Sequence, residues 1–143
     1  MRKLLPLLLA LLMLACNRTE HNSASDPTYP MLERVAELNA GGDKPGALAL
    51  ADSALLMHPA DTTRCWLLSE KAVTLVDMGR MADAVGVAQG AYRLAEKLHD
   101  VDAMLNLRGT MGIAYRRLGK TDSALVQYKE GIQMALAEHN AEY

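Results

Sequence analysis

The sequence contains no phenylalanine and few aromatic residues of any kind. Aromatic side chains make up 4% of the 143 residues, with a single tryptophan, Trp66, and five tyrosines. Nucleic-acid binding usually needs a basic face with aromatic stacking platforms, whereas the formal net charge here is −2. We therefore expect no nucleic-acid partner. The apolar half of the composition is rich in alanine, leucine and methionine, which favours closely packed helices.

Signatures of catalysis and of metal binding are also missing. The sequence has no glycine-rich phosphate loop, no Gly-x-Ser-x-Gly elbow and no paired carboxylates in an apolar setting. Three histidines, His58, His99 and His139, are about 40 residues apart, and each falls near the predicted end of a helix, where histidine suits the helix dipole. The sequence predicts neither an enzyme nor a cofactor or metal site.

The N-terminus carries an apolar run that is too short to be a transmembrane helix. Arg2 and Lys3 precede the apolar stretch from Leu4 to Leu14, an order of charge and apolar residues typical of a secretory signal peptide. A helix needs about 20 residues to cross a bilayer core of about 30 Å. We therefore predict a cleaved signal peptide at residues 1–15.

Cysteine is scarce, and the first of the two cysteines follows the apolar run directly. The segment Leu-Met-Leu-Ala-Cys at residues 12–16 resembles the bacterial lipobox, which implies that Cys16 receives a lipid. The resemblance implies a cell-envelope lipoprotein, and Asn17, which is not the aspartate associated with inner-membrane retention, favours the outer membrane facing the periplasm. An ordinary signal peptide with an incidental cysteine is the alternative. With Cys16 lipidated, Cys65 has no partner for an internal disulfide.

The residues after Cys16 are polar and predict a flexible tether. Residues 17–27 include one alanine and no large apolar side chain, a composition that does not support a packed core. We assign residues 16–27 to the tether and residues 28–143 to one helical domain.

A repeated unit occupies most of that domain. Segments 36–57, 73–94 and 113–134 align without gaps, and Gly42, Gly79 and Gly119 coincide in them. Small residues coincide at three further sets of positions: Ala47, Ala84 and Ala124; Ala51, Ala88 and Tyr128; Ala54, Ala91 and Gly131. Helical spacing on both sides of each glycine predicts two helices joined by a turn. A plain helix bundle could also use small residues, but it has no reason to keep one spacing across a whole hairpin.

This pattern resembles the tetratricopeptide repeat family. The positions that match the family motif are Met31, Leu38, Gly42, Ala47, Ala51, Ala54 and Pro59; Leu68, Ala72, Leu75, Gly79, Ala84, Ala88 and Ala91; and Met111, Gly112, Tyr115, Gly119, Ala124, Tyr128 and Gly131. Arg34, Lys71 and Arg108 depart from it, because an apolar residue is usual at their places. The resemblance implies an all-α fold of three antiparallel helical hairpins, stacked as a short right-handed solenoid, with repeats at about 28–61, 65–98 and 105–138.

The resemblance also implies that the first helix of each hairpin lines a groove that binds a protein or peptide. Carried over by repeat position, the groove residues are Tyr29, Trp66, Ser69, Asp77, Asn106, Ile113, Arg116 and Arg117. At the basic end, Arg116 and Arg117 are able to hold an acidic segment of the partner by charge-assisted hydrogen bonds. A solvated charged face at the end of a helix is the plainer alternative.

Two functions follow from this interpretation. The first is a membrane-anchored adaptor that binds a protein partner in the cell envelope. The alternative is the sensory N-terminal part of a longer repeat-containing protein that signals or regulates transcription from the membrane. The last helix favours either a continuing chain or a homodimer, because Leu125, Ile132 and Leu136 have no following helix to cover them.

Overall fold

A computed structural model describes residues 25–141 of the chain. Six α-helices follow one another in it: α1 (Tyr29–Ala40), α2 (Lys44–Leu56), α3 (Asp61–Asp77), α4 (Met81–Leu98), α5 (Val101–Arg117) and α6 (Thr121–Ala141). These residues contain no strand, which confirms the prediction of an all-α fold. The predicted signal peptide, Cys16 and the tether up to residue 24 lie outside the described residues.

The helices pair as three hairpins, α1–α2, α3–α4 and α5–α6. Each helix packs against the next one along the chain, and the first helices of the hairpins also pack against each other, α1 on α3 and α3 on α5. Within residues 25–141, the second helices make no such contacts among themselves. The first helices are therefore more closely spaced than the second helices. We call the exposed surface of this layer of first helices the inner face. The right-handed sense of the stack stays a prediction.

The three predicted glycine corners share one backbone geometry. Gly42, Gly79 and Gly119 have φ values of 87°, 79° and 74°, in the left-handed region that glycine occupies without a steric penalty. At the second corner the Gly79 N–H donates to the Val76 carbonyl at 3.1 Å, and the next N–H, that of Arg80, donates to the Leu75 carbonyl at 2.8 Å. The other two corners repeat this pair of bonds. This is the Schellman arrangement, which satisfies the last carbonyls of a helix.

A histidine takes the place of glycine at the end of α4. His99 has a φ of 54°, its backbone N–H donates to the Glu96 carbonyl at 3.2 Å, and the Asp100 N–H donates to the Ala95 carbonyl at 3.0 Å. The prediction that a histidine lies near the end of this helix is thus confirmed. The left-handed conformation of this residue was not predicted, because it is unfavourable for side chains with a Cβ.

The second and third hairpins begin earlier than the predicted repeats. Helix α3 begins at Asp61 and α5 at Val101, whereas the repeats were placed from residues 65 and 105. The start of α5 is fixed by Asp100, whose carboxylate accepts a hydrogen bond from the Ala103 N–H at 2.9 Å. Aspartate is a favoured N-cap residue, so this signal was present in the sequence and was missed.

Small side chains make up much of the core. The fully buried alanines lie mostly on the second helices: Ala47, Ala51 and Ala54 on α2, and Ala84, Ala88, Ala91 and Ala95 on α4. They pack around a few larger residues, among them Leu67, Leu75 and Leu107. Because these side chains are short, neighbouring helix backbones approach closely.

A close contact at a glycine occurs between α5 and α6. A Cβ placed on Gly112 would lie 2.4 Å from Cε1 of Tyr128, well inside van der Waals contact. A residue with a Cβ at this position would therefore require the Tyr128 ring to move.

We expect Gly112→Ala to lower the free energy of unfolding by about 1 to 3 kcal/mol, because the added methyl group displaces the Tyr128 ring. Gly109→Ala, on the same helix, is the matched control: a Cβ there meets nothing within 4 Å, and alanine should stabilise the helix by about 0.5 to 1 kcal/mol. Urea denaturation followed by circular dichroism measures both. Equal effects of the two substitutions would contradict the close approach.

Candidate functional site

An open cleft lies between α1 and α3 on the inner face. Its volume is about 410 Å³, and it is lined by Tyr29, Leu32, Glu33, Ala36, Thr62, Trp66 and Glu70; we call it the α1–α3 cleft. Tyr29 and Trp66, two of the predicted groove residues, are thus brought together. Leu32 and Ala36 also lie at groove positions of the repeat, whereas Glu33, Thr62 and Glu70 were not predicted to line it. Thr62, Trp66 and Glu70 follow the four-residue spacing of one helix face.

Trp66 is held in place by the neighbouring hairpin. Its indole N–H donates to Oδ2 of Asp100 at 3.1 Å, while the other oxygen of the same carboxylate caps α5. One aspartate therefore fixes both the start of α5 and the orientation of the tryptophan ring. The ring is preorganised at the cleft, which reduces the entropy cost of binding a ligand there.

Ser69 does not belong to the groove, so its prediction as a lining residue is wrong. Its side chain is 1% exposed, and its hydroxyl donates to the Cys65 carbonyl one turn earlier at 3.0 Å. The neighbouring Glu70 lines the cleft in its place. The predicted position differs from the observed one by a single residue along α3, and this shift separates the buried Ser69 from the cleft-lining Glu70.

A buried polar network fixes the side chain of Glu70. The amide of Asn39 donates to Oε2 of Glu70 at 2.7 Å, and the amide oxygen of Asn39 accepts from the Thr74 hydroxyl at 2.8 Å. Asn39 and Thr74 are both buried. The buried Asn39 amide thus has hydrogen-bond partners for both its nitrogen and its oxygen, and it links α1 to α3. It also holds the Glu70 carboxylate at the rim of the cleft.

Two of the predicted groove residues tie hairpins together at the C-terminal ends of the first helices. Asp77 forms an ion pair with Lys44 at 2.8 Å, and the guanidinium of Arg117 donates to the Val76 carbonyl at 3.1 Å. Both contacts join residues more than 30 positions apart in the sequence. Arg117 is therefore engaged by the main chain, and it is not a free cation of the groove.

The other predicted residues lie along α5 and do not line the α1–α3 cleft. Ile113 packs against the cluster formed by Leu75, Val76, Ala84 and Ala114. Asn106 and Arg116 are exposed. Of Arg116 and Arg117, the predicted basic end, Arg116 makes no side-chain hydrogen bond or ion pair with the residues that the structure describes.

Comparison with known families decides the classification. The profile described as Tetratricopeptide repeat matches residues 63–137, which is just over half of the chain. The chain belongs to the tetratricopeptide repeat family. Repeats of this family generally mediate protein–protein interaction, and they are not catalytic modules. Neither curated proteins nor solved structures gave a match.

The matched region begins inside α3 and covers the second and third tetratricopeptide repeats. The first hairpin lies outside it, yet its corner at Gly42 has the same left-handed glycine and the same two backbone hydrogen bonds as the other two. The geometry of this corner therefore indicates that α1 and α2 form a repeat of the same kind.

Arg108, which departs from the repeat motif, joins three helices. Its guanidinium lies 4.7 Å from the centroid of the Tyr92 ring and donates to the Tyr92 hydroxyl at 3.1 Å. It also donates to Oε1 of Gln127 at 3.1 Å and forms an ion pair with Glu130. These contacts connect α4, α5 and α6. The aliphatic stem replaces the usual apolar side chain, and the charged end is satisfied by its neighbours.

Cys65 is a buried thiol without the surroundings of a reactive one. Burial, and then the negative charge of Asp100, raise its pKa to about 11. The thiol is therefore protonated at neutral pH, and its Sγ lies 3.7 Å from the Ala91 carbonyl. These surroundings are those of a structural cysteine rather than of a nucleophile.

The last hairpin presents an apolar surface to solvent. Its exposed apolar side chains are Leu125, Val126, Ile132 and Leu136 on α6. An open cleft of about 360 Å³ between α5 and α6 has an almost entirely apolar lining that includes Leu105, Gly131 and Ala135. Their counterparts one repeat earlier, Cys65, Ala91 and Ala95, are covered by α5. The uncovered surface predicted from the sequence is thus present.

Across residues 25–141, no three histidine, cysteine or acidic side chains come together as metal ligands would. None of the helices in that range combines the length and the hydropathy needed to span a bilayer.

Asp26 corrects the predicted boundary between tether and domain. Its carboxylate is buried and accepts hydrogen bonds from the N–H and the hydroxyl of Thr28, at 2.9 and 2.6 Å, and from the Ala60 N–H at 3.0 Å. Burial by itself raises the pKa of Asp26, but these bonds and one from the Thr63 side chain outweigh it and lower the pKa to about 2. Asp26 therefore fastens the start of α1 to the start of α3.

This carboxylate makes the stability of the domain sensitive to acid. Because its folded-state pKa lies below the ordinary value of 3.8, its stabilising contribution is complete above about pH 4 and is lost as the pH falls toward 2. We expect Asp26→Asn to lower the free energy of unfolding by about 1 to 3 kcal/mol at pH 7, with the difference from wild type shrinking between pH 4 and 2.

Urea unfolding curves collected at several pH values measure this difference. Asp102→Asn, at an exposed aspartate, controls for the general effect of removing one negative charge. A difference between Asp26→Asn and wild type that does not change with pH would contradict the assignment.

Proposed function

We propose that this protein is a noncatalytic adaptor that binds a protein or peptide partner along its inner face. The observation that carries the proposal is the α1–α3 cleft, where a preorganised tryptophan and an exposed tyrosine line an apolar recess. Aromatic side chains in such recesses are typical anchors of protein interfaces, and an open cleft between rigid helices suits an extended or helical peptide.

Site-specific photo-crosslinking in the native host tests whether partners bind at the inner face. A photoreactive amino acid replaces Ala36, which is exposed and lines the cleft. In a matched control it replaces Ala49, which is exposed on α2. We expect a discrete crosslinked product from position 36 and none from position 49. Equal crosslinking from both positions, or from neither, would argue against the inner face as the binding surface.

We further propose that the chain is lipidated at Cys16 and held at the cell envelope, on the periplasmic side of the outer membrane. The order of charges, apolar run and cysteine supports this, although these residues lie outside the described part of the chain. Asp26 fastens the start of the domain next to the N-terminal end of α3. A flexible tether would join the lipid to this end of the domain without fixing the orientation of the domain at the membrane.

Labelling with palmitate in cells that express the chain tests the anchor. We expect the label and the membrane association to be lost in Cys16→Ser and retained in Cys65→Ser. A labelled Cys16→Ser protein would refute lipidation at this position, and density fractionation of the membranes identifies which membrane holds the protein.

The apolar surface of the last hairpin supports a second candidate. Either a second copy of the chain covers Ile132, which is 62% exposed, or the protein is the sensory part of a longer membrane protein whose further residues cover it. In the first case, oxidation should link Ile132→Cys chains into dimers but leave Ala49→Cys chains monomeric. In the second case, the reading frame after Tyr143 encodes a membrane helix and a signalling domain.

A further inference from the structure

We propose that the α1–α3 cleft binds a peptide segment in which an apolar or aromatic side chain lies next to a lysine or an arginine. This inference rests on the proposed adaptor function and specifies the chemistry of the partner. It differs from the sequence-based expectation of an acidic segment, because it concerns the opposite end of the inner face.

The apolar part of the ligand is indicated by the lining of the cleft. Tyr29, Leu32, Ala36 and Trp66 supply an aliphatic and aromatic surface, and Tyr29 remains 37% exposed. Burying one large apolar side chain contributes about 1.5 to 3 kcal/mol. Because Trp66 is already oriented by Asp100, little of that gain is lost in ordering the site.

The positive charge of the ligand is indicated by the polar residues of the same cleft. Its two charged lining residues, Glu33 and Glu70, are both acidic. Glu70 accepts one hydrogen bond from Asn39 through Oε2, which orients the carboxylate, and Oε1 has no hydrogen-bond partner among residues 25–141. Glu33 is exposed. A carboxylate next to an apolar surface attracts a cation more strongly than one in bulk water.

The cations next to these glutamates in the sequence are engaged elsewhere. Arg34 pairs with Glu37 at 2.8 Å, and Lys71 reaches across to Asp52 on α2 at 2.5 Å. Neither of them lines the cleft. The negative charge of the rim is therefore not neutralised from within the described part of the chain.

Lysine and arginine suit this combination of surfaces. Their aliphatic stems cover apolar area while the charged end stays at the rim, and a guanidinium can also stack on an aromatic ring such as that of Trp66. A carboxylate in the same position would be repelled by Glu33 and Glu70. Arg116, an exposed cation that the sequence assigned to ligand binding, lies on α5 and does not line this cleft.

Selection from a phage-displayed library of random peptides on the purified full chain tests the proposal. We expect the enriched peptides to carry a large apolar residue adjacent to lysine or arginine, and to change the fluorescence of Trp66, the single tryptophan. The double variant Glu33→Gln, Glu70→Gln keeps a hydrogen-bond acceptor for Asn39. It should weaken the binding of these peptides about tenfold.

Two further variants test whether the binding depends on charge in the cleft. Ala36→Arg puts a cation at an exposed helical position in the cleft and should weaken binding at least as much, whereas Arg116→Gln should leave it within about twofold. Circular dichroism of each variant confirms that the helices are retained.

The possible outcomes separate the two proposals. Enrichment of acidic peptides whose binding depends on Arg116 would overturn the inference about the ligand and leave the adaptor function standing. Enriched apolar peptides whose affinity is the same in the glutamine double variant would also overturn the inference. If no peptide is enriched over a bare surface, and Ala36 gives no crosslink in cells, then both the inference and the proposed function fail.

Discussion

Close approach of helix backbones at small side chains is the constraint on which the rest of the structure depends. Fully buried alanines on α2 and α4 allow neighbouring helices to pack with only a few leucines between them, and the glycine at position 112 on α5 leaves room for the Tyr128 ring of α6. The chain has no phenylalanine, and its buried core consists mostly of alanine and leucine, so hydrophobic burial is efficient where the helices are near each other. The hairpins and their stacking follow from this requirement.

Polar contacts between hairpins then set the relative positions of the first helices. Asn39 joins α1 to α3, Asp100 joins α3 to α5 through Trp66, and Arg117 joins the C-terminal ends of α3 and α5. Unlike apolar packing, hydrogen bonds of this kind are directional and fix register. They determine that Glu70 and Trp66 face the same cleft, and they give the inner face a defined chemistry at its α1–α3 end.

The two ends of the array differ in how their surfaces are covered. At the start, Asp26 accepts hydrogen bonds from the Thr28 and Ala60 N–H groups and so fastens the beginning of α1 to the beginning of α3. At the other end, α6 leaves apolar side chains exposed, although the equivalent surface of the preceding hairpin is covered. Repeat arrays depend on such terminal coverage for solubility. The asymmetry is the physical reason for expecting a further contact at the last hairpin.

The all-α class, the three glycine corners and the family were determined by the sequence alone. Each depends on local chemistry. Helical periodicity is visible in the order of neighbouring residues, and the left-handed turns at Gly42, Gly79 and Gly119 are favoured because glycine has no Cβ. The roles of Ser69, Arg108, Asp26 and Glu70 were decided only by the tertiary structure. Their partners lie on other helices or depend on one residue of helical register, and a single sequence without its neighbours in space does not specify which side chains meet.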